Sequence, residues 1–290
     1  MVEVVSKQFS ILELFKRSSE FLTKKGIVSS KVDTEWILST YLNIDKIDIY
    51  LDRKYVDSES QINQIRNAIV RRAKREPLQH ILGSVEFCNC TIKSDSRALI
   101  PRFETEVLVE LIEKRIPKEF NGRILDLGTG SGAILIALSK LYPDAQCVGL
   151  DKSDKALSLA KENLKLNECN TNVKLCTYDW HLDSPPEDKF DLLVSNPPYL
   201  SQQEWSSCEP EVKAYDPKDA LVAENDGMLD LETILRLSNS IVRKGGLVAL
   251  EFGTGQSDRL CSLSKSYFKS INVENDLAGK RRFFLGILND

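Results

Sequence analysis

The amino-acid sequence predicts an α/β fold, in which a seven-stranded, mostly parallel, Rossmann-like sheet follows a small N-terminal helical domain and is joined to it by a β-hairpin. Two patterns predict this fold. From residue 123 onward, short apolar runs alternate with amphipathic stretches of helical period, as in parallel sheets covered by helices on both faces. Before residue 80, apolar residues recur at helical spacing instead.

Length and composition narrow the function classes. The 290 residues carry a formal charge of −4, which argues against a protein that mainly coats nucleic acid. Seven cysteines without a CxxC pair argue against a disulfide framework or a zinc ribbon, so we expect reduced thiols and no bound metal. No apolar run approaches the roughly 20 residues that span a bilayer, and the first residues, with Glu3 among them, are unlike a signal peptide. We therefore expect a soluble, cytoplasmic protein.

The first 80 residues predict the helical domain. We expect one helix over residues 6–25 and a second over residues 30–42. The side chains expected on one face of the second helix are Val32, Trp36, Ile37 and Tyr41. A helical turn follows at residues 47–51, and Ser58 or Ser60 caps a third long helix, which ends before Pro77.

Charge is uneven along the chain. The first 85 residues hold 14 Lys and Arg against 11 Asp and Glu, a balance of +3 that leaves −7 for the remainder. The basic residues that cluster are Arg71, Arg72, Lys74 and Arg75. They suit a solvated face at a helix C-terminus, where cations favour the helix dipole. They equally suit a docking patch for a partner that is acidic or is itself bound to RNA.

The rest of the chain predicts a hairpin and then the sheet domain. Residues 81–100 hold short β-prone pieces around Asn89 and predict the linking hairpin, and residues 101–290 form the sheet domain. An amphipathic helix runs through Val107 and Ile112. Strands are expected at 124–127, 147–150, 173–176, 190–194 and 247–252, and near Ile271 and Phe283. Helices are expected at 133–141, 156–166, 229–242 and 260–267, with a turn at Gly245 and Gly246 before the strand at 247–252.

A glycine-rich turn follows the first of these strands. It reads Asp126, Leu127, Gly128, Thr129, Gly130, Ser131 and Gly132. Glycines let a ligand approach the backbone, and the helix that follows presents unpaired N–H groups. In the dinucleotide fingerprint the third glycine lies three positions after the second, whereas here it lies two after, which fits a methionine-derived nucleoside better than a pyrophosphate. Asp151, at the end of the next strand, is placed to accept hydrogen bonds from ribose hydroxyls.

Two residues after the third strand are candidates for contact with a base. The carboxylate of Asp179 can accept a hydrogen bond from an exocyclic amine, and the indole of Trp180 can pack on an adenine ring or on a methionine side chain. An ordinary packed tryptophan explains Trp180 equally well. His80 and His181 lack metal-ligand spacing, so we interpret them as surface or packing residues, and Glu251 either faces the pocket or packs within its strand.

A second polar turn, Asn196, Pro197, Pro198 and Tyr199, follows the fourth strand. Ligands bind at the carboxyl ends of parallel strands. The Asn196 side-chain oxygen and the Pro197 carbonyl could hold the two hydrogens of a planar nitrogen and aim it at a sulfonium methyl, while Tyr199 forms a wall against the planar group. Asn-Pro is also a common start of a turn. With the glycine turn upstream, we favour the catalytic interpretation.

Other motifs accompany these two turns. They are Ile100-Pro101-Arg102, Glu104-Thr105-Glu106, the series Glu211, Val212, Tyr215, Pro217, Ala220 and Leu221, then Asp226-Gly227, Glu251 to Gly253 with Gln256, and Asp276-Leu277 with Gly279 and Arg282. With them, the sequence resembles class I S-adenosylmethionine-dependent methyltransferases, and within these the release factor glutamine methyltransferase family, also called HemK or PrmC. The resemblance covers nearly the whole chain.

The resemblance implies an activity, a cofactor and a partner. The family methylates the side-chain amide nitrogen (N5) of the glutamine in the Gly-Gly-Gln motif of peptide chain release factors, and its helical N-terminal domain, here residues 1–80, docks the substrate. The resemblance implies that Gly128 to Gly132, Asp151, Trp180 and Asn196 contact S-adenosyl-L-methionine. Asp179 is a further candidate for this contact because of its position after the third strand. The residues that the resemblance implies for the glutamine are Asn196, Pro197, Pro198 and Tyr199. We expect a monomer without stable nucleic-acid binding.

Two other functions compete. A methyltransferase acting on an adenine or guanine amine would use the same turn, because the turn suits any planar nitrogen. Such enzymes extract the base and grip the backbone with a broad basic surface, and this chain has one short basic cluster. A non-catalytic cofactor sensor or adaptor would have no use for acceptors around a reacting amine.

Overall fold

The structure is a computed structural model that describes residues 9–51, 55–56, 58–169 and 172–290. The chain forms two compact units. The first comprises Met1–Gly83 together with Pro210–Tyr215, and the second comprises Ser84–Glu209 and Asp216–Asp290. Among the described residues, no helix combines the length and the apolar character that a membrane crossing requires.

The first unit is helical. Its elements in Met1–Gly83 are β1 (Phe9–Ser10), α1 (Ile11–Lys24), α2 (Ser30–Leu42), α3 (Lys46–Tyr50), β2 (Tyr55–Val56), α4 (Glu59–Ala73) and α5 (Leu78–Leu82). Serine hydroxyls cap two of the three long helices, since Ser10 Oγ accepts from the Glu13 N–H of α1 at 3.4 Å and Ser58 Oγ from the Gln61 N–H of α4 at 3.3 Å. The core contains Leu22, Ile37, Leu38, Ile49 and Ile65.

Two details of this unit differ from the sequence prediction. The first helix begins at Ile11, where Ser10 caps it, while Ser6 lies outside the described residues. In α2 the predicted apolar face is wrong for Val32 and Trp36, which are 52% and 42% exposed, whereas Ile37 is buried and Tyr41 packs partly buried against the core. Besides Ile37, α2 buries Ser30, Asp33, Thr34 and Leu38. Asp33 turns inward because a buried arginine of α4 pairs with it.

That arginine is Arg72, from the basic cluster. Its Nε donates to Asp33 Oδ2 at 2.6 Å, and its Nη1 donates to Glu211 Oε1 at 2.9 Å. Arg75 Nη1 donates to the same Glu211 oxygen at 3.1 Å, and Arg71 forms an ion pair with Glu76. The interpretation of the cluster as a solvated face is wrong for Arg72, which is 7% exposed. Buried charge is retained there because carboxylates from two other segments pair with it.

The second unit begins with the hairpin. Strands β3 (Ser84–Phe87) and β4 (Cys90–Lys93) pair antiparallel around Cys88 and Asn89. Both turn residues have positive φ, 46° and 59°, as a two-residue hairpin turn requires. The other α-helices among the described residues are α6 (Phe103–Glu113), α7 (Ala133–Leu141), α8 (Asp154–Leu166), α9 (Gln202–Ser206), α10 (Pro210–Tyr215, in the first unit), α11 (Glu224–Gly227), α12 (Leu229–Ile241) and α13 (Ser257–Ser264).

The strands of the seven-stranded sheet are β5 (Arg123–Leu127), β6 (Gln146–Asp151), β7 (Val173–Thr177), β8 (Phe190–Ser195), β9 (Val242–Glu251), β10 (Phe268–Asn275) and β11 (Arg281–Leu288). Their order in the sheet is β10-β11-β9-β8-β5-β6-β7. The pairs among β5, β6, β7, β8 and β9 are parallel, and β11 pairs antiparallel with both β9 and β10. The predicted fold class is confirmed.

Hydrophobic residues cover both faces of the sheet. Along β5, Ile124 packs into one core with α6 and α7, while Leu125 and Leu127 pack into the other with α12 and α13, as the two-residue period of a strand requires. One boundary differs from the prediction. Gly245 and Gly246 lie inside β9 rather than before it, since Gly245, at φ 74°, allows the irregular register between β8 and β9.

The buried ion pairs of the first unit predict a large difference between two arginine substitutions. Arg72→Met leaves the buried Asp33 carboxylate without its cation, so we expect unfolding free energy to fall by about 3 kcal/mol. Arg17→Met breaks an exposed pair with Glu13 on α1 and should cost less than about 0.5 kcal/mol. Urea unfolding followed by circular dichroism measures both. Equal losses would contradict the structural role assigned to Arg72.

Candidate functional site

The carboxyl ends of three neighbouring strands are bonded together at one edge of the sheet. The N–H groups of Gly128 and Thr129, just after β5, donate to the Leu150 carbonyl of β6 at 2.7 and 2.9 Å. On the other side of β5, Ser195 Oγ of β8 donates to the Leu127 carbonyl at 2.5 Å. Because β5 lies between β6 and β8, both predicted turns leave the sheet at the same edge.

The glycine turn has left-handed backbone at each glycine. Gly128, Gly130 and Gly132 have φ of 78°, 55° and 82°, which residues with a side chain rarely adopt. A Cβ on Gly132 would lie 3.2 Å from Ala160 Cβ of α8, so this glycine permits close helix packing. A Cβ on Gly130 would approach nothing closer than the Gly128 carbonyl oxygen at 4.0 Å. The turn is therefore open above Gly130.

Buried polar side chains hold this turn. Asp126 is fully buried, and burial raises the pKa of its carboxyl to about 7, although the Thr129 hydroxyl donates to it at 2.7 Å. Asn163 of α8, also fully buried, donates to the Ser131 carbonyl at 2.9 Å and accepts from the Lys93 N–H of the hairpin at 2.7 Å. Asn163 is not predicted from the sequence, because nothing in its local pattern separates it from an exposed helical asparagine.

Asp151 ends β6 and faces the turn. Its Oδ2 accepts from the Gly130 N–H and its Oδ1 from the Ser153 N–H, each at 2.8 Å. Burial raises its pKa, and these two N–H groups oppose that rise. Each carboxylate oxygen has a second lone pair, so Asp151 is held in one orientation with acceptor capacity left over.

Trp180 lies beside the glycine turn. A Cβ built on Gly128 would lie 3.4 Å from its ring. The indole Nε1 donates to Asp230 Oδ1 at 2.7 Å, and His181 Nε2 lies 2.8 Å from the same oxygen. Asp179 accepts from the His181 N–H through Oδ1. Asp230 of α12, which the sequence analysis did not single out, therefore fixes the plane of the indole.

Asn196 and Tyr199 connect to one buried carboxylate. Asn196 Nδ2 donates to Thr105 Oγ1 at 3.1 Å, and the Thr105 hydroxyl donates to Glu251 Oε2 at 2.7 Å. The Tyr199 hydroxyl donates to Glu251 Oε1 at 3.0 Å. Burial raises the pKa of Glu251, while its two hydroxyl donors oppose that rise. Burial, together with the nearby Glu251 charge, raises the pKa of Tyr199.

These residues surround a cavity of about 550 Å³. Of the predicted site residues, the structure brings Gly128, Thr129, Gly130, Ser131, Asp151, Asp179, Trp180, Asn196, Pro197 and Pro198 to its lining. Gly132 and Tyr199 are not among the lining residues, and the contact predicted between Tyr199 and the substrate stays a prediction. Lining residues to which the sequence analysis gave no role include Arg97, Arg102, Thr105, Pro217, Asp219 and Ala220.

The chain is similar to curated proteins over most of its length. It is 35% identical over 244 residues to the release factor glutamine methyltransferase of Geobacter sulfurreducens, covering 84% of each chain. It is 38% identical over 257 residues to the protein of that name from Thermodesulfovibrio yellowstonii, covering 87% of this chain and 91% of the relative. The chain belongs to the release factor glutamine methyltransferase family.

Family models and solved structures agree with this membership. The PrmC N-terminal domain matches residues 13–83, and the methyltransferase small domain matches residues 103–209. A methyltransferase from Pyrococcus furiosus, 14% identical, has a TM-score of 0.52 and covers 69% of this chain and 90% of its own. That likeness concerns the fold alone.

Two of the motifs that accompany the turns, Asp226-Gly227 and Gly253 with Gln256, pack against the backbone of Tyr199. A Cβ on Gly227 would lie 2.1 Å from the Tyr199 carbonyl oxygen, so only glycine fits there. That oxygen accepts from Gln256 Nε2 at 2.9 Å, and Gln256 Oε1 accepts from the Gly253 N–H at 2.7 Å. The motifs Asp226-Gly227 and Gly253 with Gln256 thus support the backbone of the Asn196–Tyr199 turn.

The cavity fits S-adenosylmethionine, the cofactor of this methyltransferase family. Its volume of about 550 Å³ lies in the range of pockets for ligands of that size. There is open space above Gly130. The oriented carboxylate of Asp151 can accept hydrogen bonds from hydroxyl groups, and the fixed indole of Trp180 provides an aromatic surface. These are the features that a nucleoside with a ribose and a base requires.

Gly130→Ala should weaken binding of S-adenosylmethionine about 10- to 100-fold, because the new methyl group enters the cavity. The residue would also adopt an unfavourable φ, at a cost of about 1–2 kcal/mol of stability. Gly279→Ala is the matched control, since Gly279 has φ 76° with no atom within 4 Å of its Cβ position and lies outside the cavity lining. Calorimetric titration and thermal melts measure both effects. If both variants lost the same affinity, strain rather than the cavity would be responsible.

Proposed function

We propose that the protein transfers a methyl group from S-adenosylmethionine to the side-chain amide nitrogen (N5) of the glutamine in the Gly-Gly-Gln motif of peptide chain release factors. The observation that carries this proposal is the Asn196 amide. Its Nδ2 is bonded to Thr105, so its Oδ1 remains an acceptor in the wall of a cavity that also contains the glycine turn. Relatives at 35% and 38% identity are named for this activity.

The cofactor assignments follow from the lining of the cavity. The backbone of residues 128–131 lies against S-adenosylmethionine, and Asp151 accepts from its ribose hydroxyls. Asp179 accepts from the adenine amine, while Trp180 packs on the base or on the methionine portion. Bound S-adenosylmethionine supplies an electrophilic methyl group on a positively charged sulfur.

In this proposal the turn Asn196 to Tyr199, here called the catalytic turn, makes a poor nucleophile reactive. An amide nitrogen attacks weakly because its lone pair is delocalised into the carbonyl group. Asn196 Oδ1 and the Pro197 carbonyl hold its two N–H groups, which favours the pyramidal nitrogen of the transition state and aims its lone pair. Pro198 stiffens the turn. As the N–C bond forms, the C–S bond breaks, and the nitrogen later releases one proton to solvent, so no strong base is needed.

The charges disfavour the competing nucleic-acid function. Gripping a phosphate backbone needs free cationic side chains. In the basic cluster, however, Arg71, Arg72 and Arg75 pair with carboxylates within their own unit. Three of the four basic side chains are therefore already neutralised.

We assign residues 1–80 to release-factor docking, residues 81–100 to the linking hairpin and residues 101–290 to methyl transfer. The match of the PrmC N-terminal domain to residues 13–83 supports this division. We further propose that the protein acts in the cytoplasm as a monomer, with the release factor as its partner.

With labelled S-adenosylmethionine, the protein should methylate a purified release factor. A release-factor variant in which alanine replaces the glutamine of the Gly-Gly-Gln motif should stay unlabelled. The reason is that Asn196 Oδ1 and the Pro197 carbonyl accept hydrogen bonds from one amide nitrogen, that of the glutamine. Filter-bound label and mass spectrometry of the loop peptide measure transfer, with RNA and DNA as parallel substrates. Equal label in the loop variant, or label in nucleic acid alone, would overturn the proposal.

Asn196→Ala should lower kcat at least about 10³-fold, because the variant has no side-chain acceptor for the reacting nitrogen. Affinity for S-adenosylmethionine should fall only a few-fold, since most of the cavity lining is unchanged. Asn272→Ala, at an exposed position of β10, is the control and should retain full activity. Single-turnover kinetics and calorimetry separate the two effects. Normal turnover by Asn196→Ala would contradict the role of this side chain.

A further inference from the structure

A chain of side-chain hydrogen bonds leads from the cavity into the interior of the second unit. It runs from Asn196 through Thr105 to Glu251, with links of 3.1 and 2.7 Å, and returns to the catalytic turn through the Tyr199 hydroxyl at 3.0 Å. Thr105 is 4% and Glu251 2% exposed. Thr105 lies in the first turn of α6 and Glu251 at the end of β9, so elements distant in sequence meet behind the turn.

The donors and acceptors of this chain have a fixed direction. An ionised carboxylate can only accept hydrogen bonds, so the Thr105 and Tyr199 hydroxyls both donate to Glu251. Burial raises the pKa of Glu251, and the two hydroxyl donors together with the nearby charge of Arg282 oppose that rise. Since the Thr105 hydroxyl donates its only proton to Glu251, its oxygen can only accept a hydrogen bond from Asn196. The atom of Asn196 that faces Thr105 must then be Nδ2, the group that carries protons.

We propose that Thr105 and Glu251 are positioning residues that hold the Asn196 amide with Oδ1 as the acceptor for the substrate nitrogen. This inference rests on the proposed function and adds to it. A terminal amide is nearly symmetrical in shape, so packing alone selects its orientation weakly. The carboxylate, acting through the threonine hydroxyl, selects the orientation electrostatically.

Reversal of the amide has a definite chemical consequence. With Oδ1 toward Thr105, the Nδ2 group would face the substrate N–H, and two donors would meet. One hydrogen bond in the transition state would be replaced by a repulsive contact. A loss of this kind in a site removed from water corresponds to about 10- to 100-fold in rate.

Thr105→Val tests the inference, because valine has nearly the shape of threonine and no hydroxyl. We expect kcat on the release factor to fall about 10- to 100-fold, with KM and the affinity for S-adenosylmethionine within about threefold of the original values. Thr105→Ser keeps the hydroxyl and should restore kcat to within about threefold. Thr233→Val, which removes a local hydrogen bond within α12, is the matched control.

A double-substitution cycle separates positioning from general damage. In the Asn196→Ala background, Thr105→Val should produce no further loss of kcat, because Thr105 acts through Asn196. A side-chain NMR measurement gives a readout that does not depend on activity. The Asn196 amide protons of the original protein should exchange at least about tenfold more slowly than those of the exposed Asn272, and Thr105→Val should remove this protection.

The outcomes distinguish the two proposals. An original protein that fails to methylate the release factor glutamine overturns the proposed function and this inference with it. An active original protein together with unchanged kcat in Thr105→Val, or with equal losses in both backgrounds of the cycle, overturns the inference alone. If Thr105→Val does not fold, fast exchange of the Asn196 amide in the original protein overturns the inference, and slow exchange together with rescue by Thr105→Ser supports it.

Discussion

The hydrogen bonds that join the ends of β5, β6 and β8 are the constraint on which the site depends. The Leu150 carbonyl accepts from the turn after β5, and the Leu127 carbonyl accepts from Ser195 of β8. Parallel pairing places the carboxyl ends of all three strands at the same edge. The glycine turn and the Asn196–Tyr199 turn are thereby brought beside one cavity, although about 60 residues of chain separate them.

The same edge accommodates polar groups that an apolar sheet would normally exclude. Residues 247–250 of β9 are buried and apolar, yet the strand ends in Glu251. Burying a carboxylate costs several kcal/mol unless hydrogen bonds satisfy it, and here two hydroxyls do so. Through these hydrogen bonds Glu251 connects to both ends of the Asn196–Tyr199 turn.

The helical unit shows a related use of buried charge. Arg72 and Arg75 are neighbours in a run of basic residues, but both point at Glu211, which belongs to a segment more than 130 positions later in the chain. The ion pairs hold Pro210–Tyr215 within the helical unit. A cluster that by its composition suggests a binding surface therefore contributes largely to the internal structure of this unit.

Local patterns in the sequence were sufficient for most of the long helices, for the strands of the sheet and for the two turns, but not for the short helices between residues 202 and 227. The helices Ser30–Leu42 and Ala133–Leu141 have the predicted bounds, because helical period and terminal residues are properties of neighbouring positions. The glycine turn and the Asn-Pro-Pro-Tyr turn were visible for the same reason, since backbone conformation and strand ends depend on adjacent residues. Only the tertiary structure decided the partners. Thr105 bonds to Glu251 across 146 positions and Asn196 to Thr105 across 91, and the choice of which Asn196 atom faces the cavity follows from contacts for which no local pattern exists.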